Sequence, residues 1–224
     1  MDLLFTPAKL GTCELKNRIV RSATNGHLSD EKGQVTPLWA DTLIELAKNE
    51  VGLVITGHFC VDKMQRADAG QPVLDETTDE SLLRRACDGV HRYGGKLFFQ
   101  LSHSGIKGVE SVNGAPPKHP EDFTREELDR LVEQFAFAAK KCKESGADGV
   151  QVSGIDFNRR AGQKMPFYLD ALICEPDFAA KLKSGAQDGS KCLACNGCYT
   201  IYRKRFVRCV QHQDEIEQFK TIPW

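Results

Sequence analysis

The chain has 224 residues, enough for one domain with a substantial core. Thirty Lys and Arg against 31 Asp and Glu leave a formal net charge of −1, which excludes a whole-chain field that would draw in nucleic acid or an anionic membrane. The start MDLLFTPAKLGT is not a basic stretch followed by an apolar one, and no apolar run approaches the roughly 18 residues that span a bilayer, so a cytoplasmic protein is expected.

Residues 18–23, RIVRSA, read as a short buried strand. Residues 37–49 carry Leu38, Leu43, Leu46 and Ala47 at helical spacing, and the apolar, β-branched run VGLVITG at 51–57 then predicts a second strand. Residues 79–93 predict a helix with Leu82, Leu83, Ala86 and Val90 on one face, stopped by Gly94 and Gly95. KLFFQL at 96–101 is the third strand. Residues 102–122 form a polar loop rich in turn formers: GIKG, an Asn-Gly pair and two consecutive prolines. Thr124 and Glu127 match a capping box that opens a helix running through Lys143, and GADGVQV at 146–152 supplies the fourth strand.

Apolar strands alternating with amphipathic helices predict an α/β fold with a parallel sheet covered on both faces, and a doubly wound open sheet and a closed barrel both satisfy the pattern. No G-x-G-x-x-G follows the first strand, which removes the main support for a dinucleotide-binding open sheet. Beyond Val152 the rhythm fails. Residues 153–162 are short and polar, 167–173 fit strand or helix, a short helix through Leu182 is capped at or near Asp177, and residues 184–190 form a loop.

Several segments in order, LFTP at 4–7, KNRIVRSAT at 16–24, GQVT at 33–36, GLVITG at 52–57 and QLSHSG at 100–105, resemble the old yellow enzyme family, and the resemblance covers residues 1–152. It implies the first four βα units of an FMN-binding (β/α)₈ TIM barrel, a fold that keeps its chemistry at the C-terminal ends of its strands and typically needs about 250 residues. Carried over by position, Ala23 and Thr24 would lie beside the flavin, with the Thr24 hydroxyl near flavin O4. Gly57 would permit a close backbone approach, and the Gln100 amide would pair with the flavin pyrimidine edge as both donor and acceptor. His58 and His103 occupy strand ends and receive no role. The implied activity is FMN-dependent NAD(P)H oxidation with ene-reductase-like hydride transfer to an activated alkene, on a small-molecule substrate.

The chain departs from that pattern in several places. The family's His-x-x-His or His-x-x-Asn pair after strand four, and the tyrosine that follows it, have no counterpart in VQVSGIDFN at 150–158; Tyr168 sits in a different context and inherits no role. The segment 152–154 resembles the end of the family's strand six, and a second junction falls near residues 171–172, so 153–190 read as remnants extending past strand eight. Strands five and seven and the strand-eight arginine are missing, and no catalytic residue is named. The expectation is an incomplete barrel whose open edges pair with water or with a second copy in a homo-oligomer. The alternative to the enzyme is a non-catalytic remnant, or an assembly-dependent protein, without bound flavin.

Of nine cysteines, Cys13, Cys60, Cys87, Cys142 and Cys174 are scattered, which argues against a disulfide framework and for reduced thiols. Residues 191–224 form a cysteine-rich tail in which Cys192, Cys195, Cys198 and Cys209 give C-x₂-C-x₂-C-x₁₀-C, a spacing suited to Cys₄ ligation of [4Fe–4S] or Zn²⁺. The tail is similar to the iron–sulfur branch of the family that includes 2,4-dienoyl-CoA reductase and trimethylamine dehydrogenase; free thiols are its other reading.

Overall fold

A computed structural model describes residues 2–154, 175–188 and 190–192. After a 3₁₀ turn at Asp2–Phe5, strands β1 (Ala8–Leu10) and β2 (Cys13–Leu15) form an antiparallel hairpin that the sequence pattern did not announce. Its turn depends on Gly11, whose φ of +59° lies in the left-handed region that glycine adopts without steric cost. Then follow β3 (Val20–Arg21), α1 (Pro37–Lys48), β4 (Leu53–Ile55), β5 (Phe59–Cys60), α2 (Glu80–Arg92), β6 (Lys96–His103), α3 (Glu110–Asn113), α4 (Arg125–Glu144), β7 (Gly149–Gly154) and α5 (Phe178–Ser184). β6 runs two residues past the expected strand, and the expected polar loop contains α3.

The main sheet is parallel throughout. β3 pairs with β4, β4 and then β5 pair with one edge of β6, and β7 pairs with the other. This is the partial α/β barrel expected from the sequence, and among the described residues β3 and β7 do not meet to close it. β7 continues unbroken across residues 152–153, with Ser153 opposite Ser102 and Gly154 opposite His103.

The helices begin and end where local chemistry dictates. The Thr36 hydroxyl accepts from the Trp39 amide with Pro37 in the first turn of α1, and the Asp79 carboxylate accepts from the Ser81 amide at the start of α2. The predicted capping box of α4 forms in full: the Glu127 amide donates to Thr124 Oγ1 at 3.2 Å, and the Thr124 amide donates to Glu127 Oε2 at 2.8 Å. On the helix-covered face of the sheet, Leu97, Phe99 and Leu101 from β6 are fully buried with Val54, Phe59, Leu83 and Val90. Trp39, Phe59 and Phe99 form its aromatic centre, with centroids 5.5 to 6.1 Å apart. The helix α5 completes the core at the β3 end, where Phe178 and Leu182 approach Leu4, Ile19 and Val20.

Between Ile55, opposite Phe98, and Phe59, opposite Leu101, three residues (Thr56, Gly57, His58) face only two (Phe99, Gln100). This one-residue excess has the count of a β-bulge and splits one strand into β4 and β5. Because side chains alternate with period two, it turns Phe59 onto the helix side and leaves His58 on the open side.

The N-terminal ends of the strands are knit by charge. The Asp148 carboxylate accepts from Lys96 Nζ at 2.8 Å, His91 Nε2 at 2.6 Å and the Leu97 amide at 2.9 Å, joining β7, α2 and β6. Burial works to raise its pKa, but these hydrogen bonds outweigh burial and hold the carboxyl below its usual value. Lys16 Nζ donates to the carbonyls of Ala47 and Tyr93, placing one cation at the C-terminal ends of α1 and α2.

Two predictions follow from this frame. Asp148→Asn lowers stability by about 1–3 kcal/mol at neutral pH, the cost of weakening a hub of charge-assisted bonds. Since the folded-state pKa is depressed, the wild-type advantage is complete above the unfolded carboxylate value of about 3.9 and is lost as pH falls through the folded value. Urea titrations of both forms from pH 7 to pH 3 read this directly, and an advantage that grows on acidification refutes it. At the α1–α2 contact, a Cβ on Gly89 would lie 2.3 Å from Ile44 Cδ1. Gly89→Val therefore costs about 1–3 kcal/mol by overpacking, and adding Ile44→Ala restores part of the loss.

Candidate functional site at the strand ends

The four cofactor positions expected from the sequence fall at the C-terminal ends of three neighbouring strands. Ala23 and Thr24 follow β3, Gly57 lies in the bulge after β4, and Gln100 is in β6 on the sheet's open face. Thr24 and Gly57 are in direct backbone contact: a Cβ on Gly57 would sit 2.6 Å from the Thr24 carbonyl oxygen and 3.0 Å from Asn25 Cα. The need for glycine here thus arises from the chain's own crossing segment. The Thr24 hydroxyl accepts from the Arg21 guanidinium and is 3.4 Å from the Ser22 carbonyl. Ala23 is half-buried.

Gln100 is tied into the same group by Thr56, whose hydroxyl oxygen accepts the Gln100 amide at 3.1 Å and donates to the Gly57 carbonyl at 2.9 Å. The Gln100 side chain donates through Nε2 to Gln151 Oε1 at 2.8 Å across the β6–β7 pair. Gln151 was not among the sequence candidates, because a single polar residue in an alternating strand carries no signal until its neighbour across the sheet is known. Among the described residues, the pair leaves the Gln100 Oε1 acceptor and the Gln151 amide donors without partners, and neither is sealed from solvent.

One strand-pleat further toward the mouth lies a second, uncharged cluster. His58 Nδ1 is 3.0 Å from Ser102 Oγ and 2.8 Å from Gln71 Nε2, and Gln71 is wholly buried. Burial pushes the His58 pKa below the ordinary imidazole value, partly offset by Asp68. Beside it the Asp68 carboxylate accepts from His27 Nδ1 at 2.9 Å, Asn25 Nδ2 at 2.9 Å and the Gly70 amide at 2.8 Å. Burial favours the protonated acid, yet the contacts with His27 and Gly70 hold Asp68 below its usual range. His103 stands apart, on the helix side of β6. There its ring meets Phe123 edge-on, and it lines a cavity of about 360 Å³ with Lys118, Arg130 and Gln134. None of the four cofactor candidates lines that cavity. Thr24 and Gly57 instead border a space of about 70 Å³ against Trp39 and Leu43 of α1, too small for a flavin ring system.

The thiols of the core are chemically quiet. Burial pushes those of Cys60, Cys87 and Cys142 up to about 12, leaving negligible thiolate at neutral pH, and Cys13, Cys60, Cys87, Cys142 and Cys192 form no disulfide. Cys195, Cys198 and Cys209 lie outside the described residues, as do Cys174 and Tyr168. Among the described residues, no three His, Cys, Asp or Glu side chains group to hold a metal ion, and no helix is long and apolar enough to cross a membrane.

Among solved structures, a 2-naphthoyl-CoA reductase in complex with 2-naphthoyl-CoA matches with a TM-score of 0.62 and 23% identity, covering 67% of this chain and 27% of that one. An old yellow enzyme homologue from Zymomonas mobilis matches with a TM-score of 0.60 and 23% identity, over 66% of this chain and 47% of that one. These likenesses establish the fold. Among curated proteins, a metal reductase of Desulforamulus reducens is 34% identical over 169 residues, 68% of this chain and 24% of the relative. An NADPH dehydrogenase of Listeria monocytogenes is 30% identical over 162 residues, 68% of this chain and 48% of the relative. The chain thus spans between a quarter and a half of the length of these relatives. The family model of the NADH:flavin oxidoreductase / NADH oxidase family matches residues 3–156, and with the sequence resemblance and the strand order in agreement, the chain belongs to that family.

Proposed function

We propose that the chain binds FMN at the ends of β3, β4 and β6 and serves as an NAD(P)H-dependent oxidoreductase that reduces an electron-poor alkene in a small-molecule substrate. The observation that supports this reading best is the Gln100–Gln151 amide pair, which presents an acceptor and a donor side by side at the mouth of the sheet. That combination suits the alternating acceptors and N–H of a flavin pyrimidine edge. The Thr24 oxygen and the close-packed Gly57 stand beside it, with Ala23 next in the chain. Bound FMN would supply hydride transfer between the nicotinamide and the alkene; the chain's own residues would orient its edge.

A second reading has its own observation. Val150 and Val152 of β7 lie on the helix side of the sheet at 38% and 67% exposure, opposite the fully buried Phe99 and Leu101. An apolar edge strand of this kind suits a chain that works by pairing with a second copy, without flavin.

The visible spectrum and FMN content of purified protein, before and after reconstitution, distinguish the two. Stoichiometric flavin that bleaches with NADH or NADPH supports the enzyme, and Gln100→Leu then weakens FMN binding about tenfold, the worth of one hydrogen bond near 1.4 kcal/mol. Folded but colourless protein after reconstitution refutes the flavin reading.

A further inference from the structure

On the helix side of the sheet, the cavity of about 360 Å³ that His103 lines lies between the 3₁₀ turn at Lys63–Gln65, which follows β5, and the first half of α4. Its volume is in the range of small-molecule sites. The charged groups of its wall are of two kinds. Lys118 and Glu127 are closed on each other: Lys118 Nζ donates to Glu127 Oε1 at 2.5 Å and lies 5.0 Å over the Phe123 ring, while Glu127 Oε2 accepts the Thr124 amide at 2.8 Å. Arg130 and Asp62 are open. Both border this cavity and an adjoining hollow of about 280 Å³, and among the described residues neither forms an ion pair. The Asp62 carboxylate is oriented through Oδ1, which accepts the Met64 amide at 2.9 Å, and Oδ2 has no hydrogen-bond partner among the described residues.

His103 adds a directed donor. The Gly105 amide, which can only donate, is 3.1 Å from His103 Nδ1, so Nδ1 accepts and the ring proton resides on Nε2. Burial keeps the ring neutral by lowering its pKa, outweighing the opposite pull of Asp62. Nε2 has no hydrogen-bond partner among the described residues and is not sealed from solvent. Around one space the fold therefore sets a guanidinium, a neutral N–H donor, a carboxylate, and the apolar surfaces of Met64, Phe123 and Leu131. A simple anion entering it would meet Asp62, and a simple cation would meet Arg130. A molecule that carries both charges satisfies both groups, which is how paired charges discriminate between ligands.

We propose that this cavity binds a free α-amino acid with an apolar side chain: its carboxylate takes Arg130 and the His103 Nε2–H, its ammonium takes Asp62, and its side chain lies against Met64, Phe123 and Leu131. The sheet stands between this site and Gln100, which is on the opposite face of β6. Occupancy is thus independent of flavin. The bound molecule joins the turn after β5 to α4, and because it binds the folded chain alone it stabilises that chain by mass action.

The test is calorimetric titration of the full chain with L-leucine as the probe, with thermal unfolding as the second readout. Saturable binding at one site and a rise in unfolding temperature with leucine concentration are expected. 4-Methylpentanoate, which lacks the ammonium, and 3-methylbutylamine, which lacks the carboxylate, each bind about tenfold more weakly or worse, the worth of one charge-assisted contact. Arg130→Ala and Asp62→Asn weaken leucine binding by a similar factor with unchanged circular dichroism, and His103→Phe, which keeps a ring and removes the donor, weakens it as well. Equal affinity in FMN-free and FMN-loaded protein supports the site. No saturable binding at millimolar leucine, either analogue binding as tightly as leucine, Arg130→Ala binding leucine unchanged, or competition between leucine and FMN overturns the proposal.

Discussion

A single extra residue between Ile55 and Phe59 governs both halves of this molecule. Parallel pairing with β6 holds the strand on either side of it, so the excess cannot slide away, and every side chain beyond it changes face. Phe59 is thereby delivered to the Trp39–Phe99 centre of the core, and His58 to the polar mouth beside Ser102. Continuing the register without the bulge would exchange the two, burying an imidazole among aromatic rings and exposing a phenyl ring at the site. Packing and chemistry are thus consequences of one local irregularity, stabilised by Thr56, whose hydroxyl accepts the Gln100 amide that the bulge leaves without a ladder partner.

Much of the frame was legible in the sequence because it rests on local signals. Helical spacing at Leu43, Leu46 and Ala47, the Gly94 stop and the Thr124–Glu127 box each act within a turn or two of their own residue, and each forms as read. The hairpin β1–β2 was not legible, since three-residue strands of mixed polarity carry no periodicity to detect. The bulge escaped for a related reason: Thr-Gly-His is an ordinary strand ending until the partner's register is counted.

The site divides along the same line. Gln100 was named through its motif, whereas Gln151 and Gln71 were invisible, because their contacts are made with residues 51 and 13 positions away. Gln71 sits in a segment whose composition, RADAGQP, reads as solvated loop, yet it is fully buried with its amide satisfied at both ends. His58 seemed a bland strand-end histidine for the same reason. Its contacts with Gln71 and Ser102 are made by the fold, and a single chain read in order has no access to them.

The two ends of the sheet are built from different chemistry. At the N-terminal end the contacts are ionic: Asp148 with Lys96, and Lys16 with Glu50 at 3.7 Å. At the C-terminal end the Asp68 carboxylate held by His27 sits beside bonds between uncharged side-chain and backbone groups, Thr56 to Gln100 and Gln100 to Gln151. Mobile ions screen the first kind and barely touch the second. Ionic strength therefore acts on this protein from below: salt loosens the anchoring of the strands at their origins, while the directional contacts at the mouth keep their geometry for as long as the sheet holds.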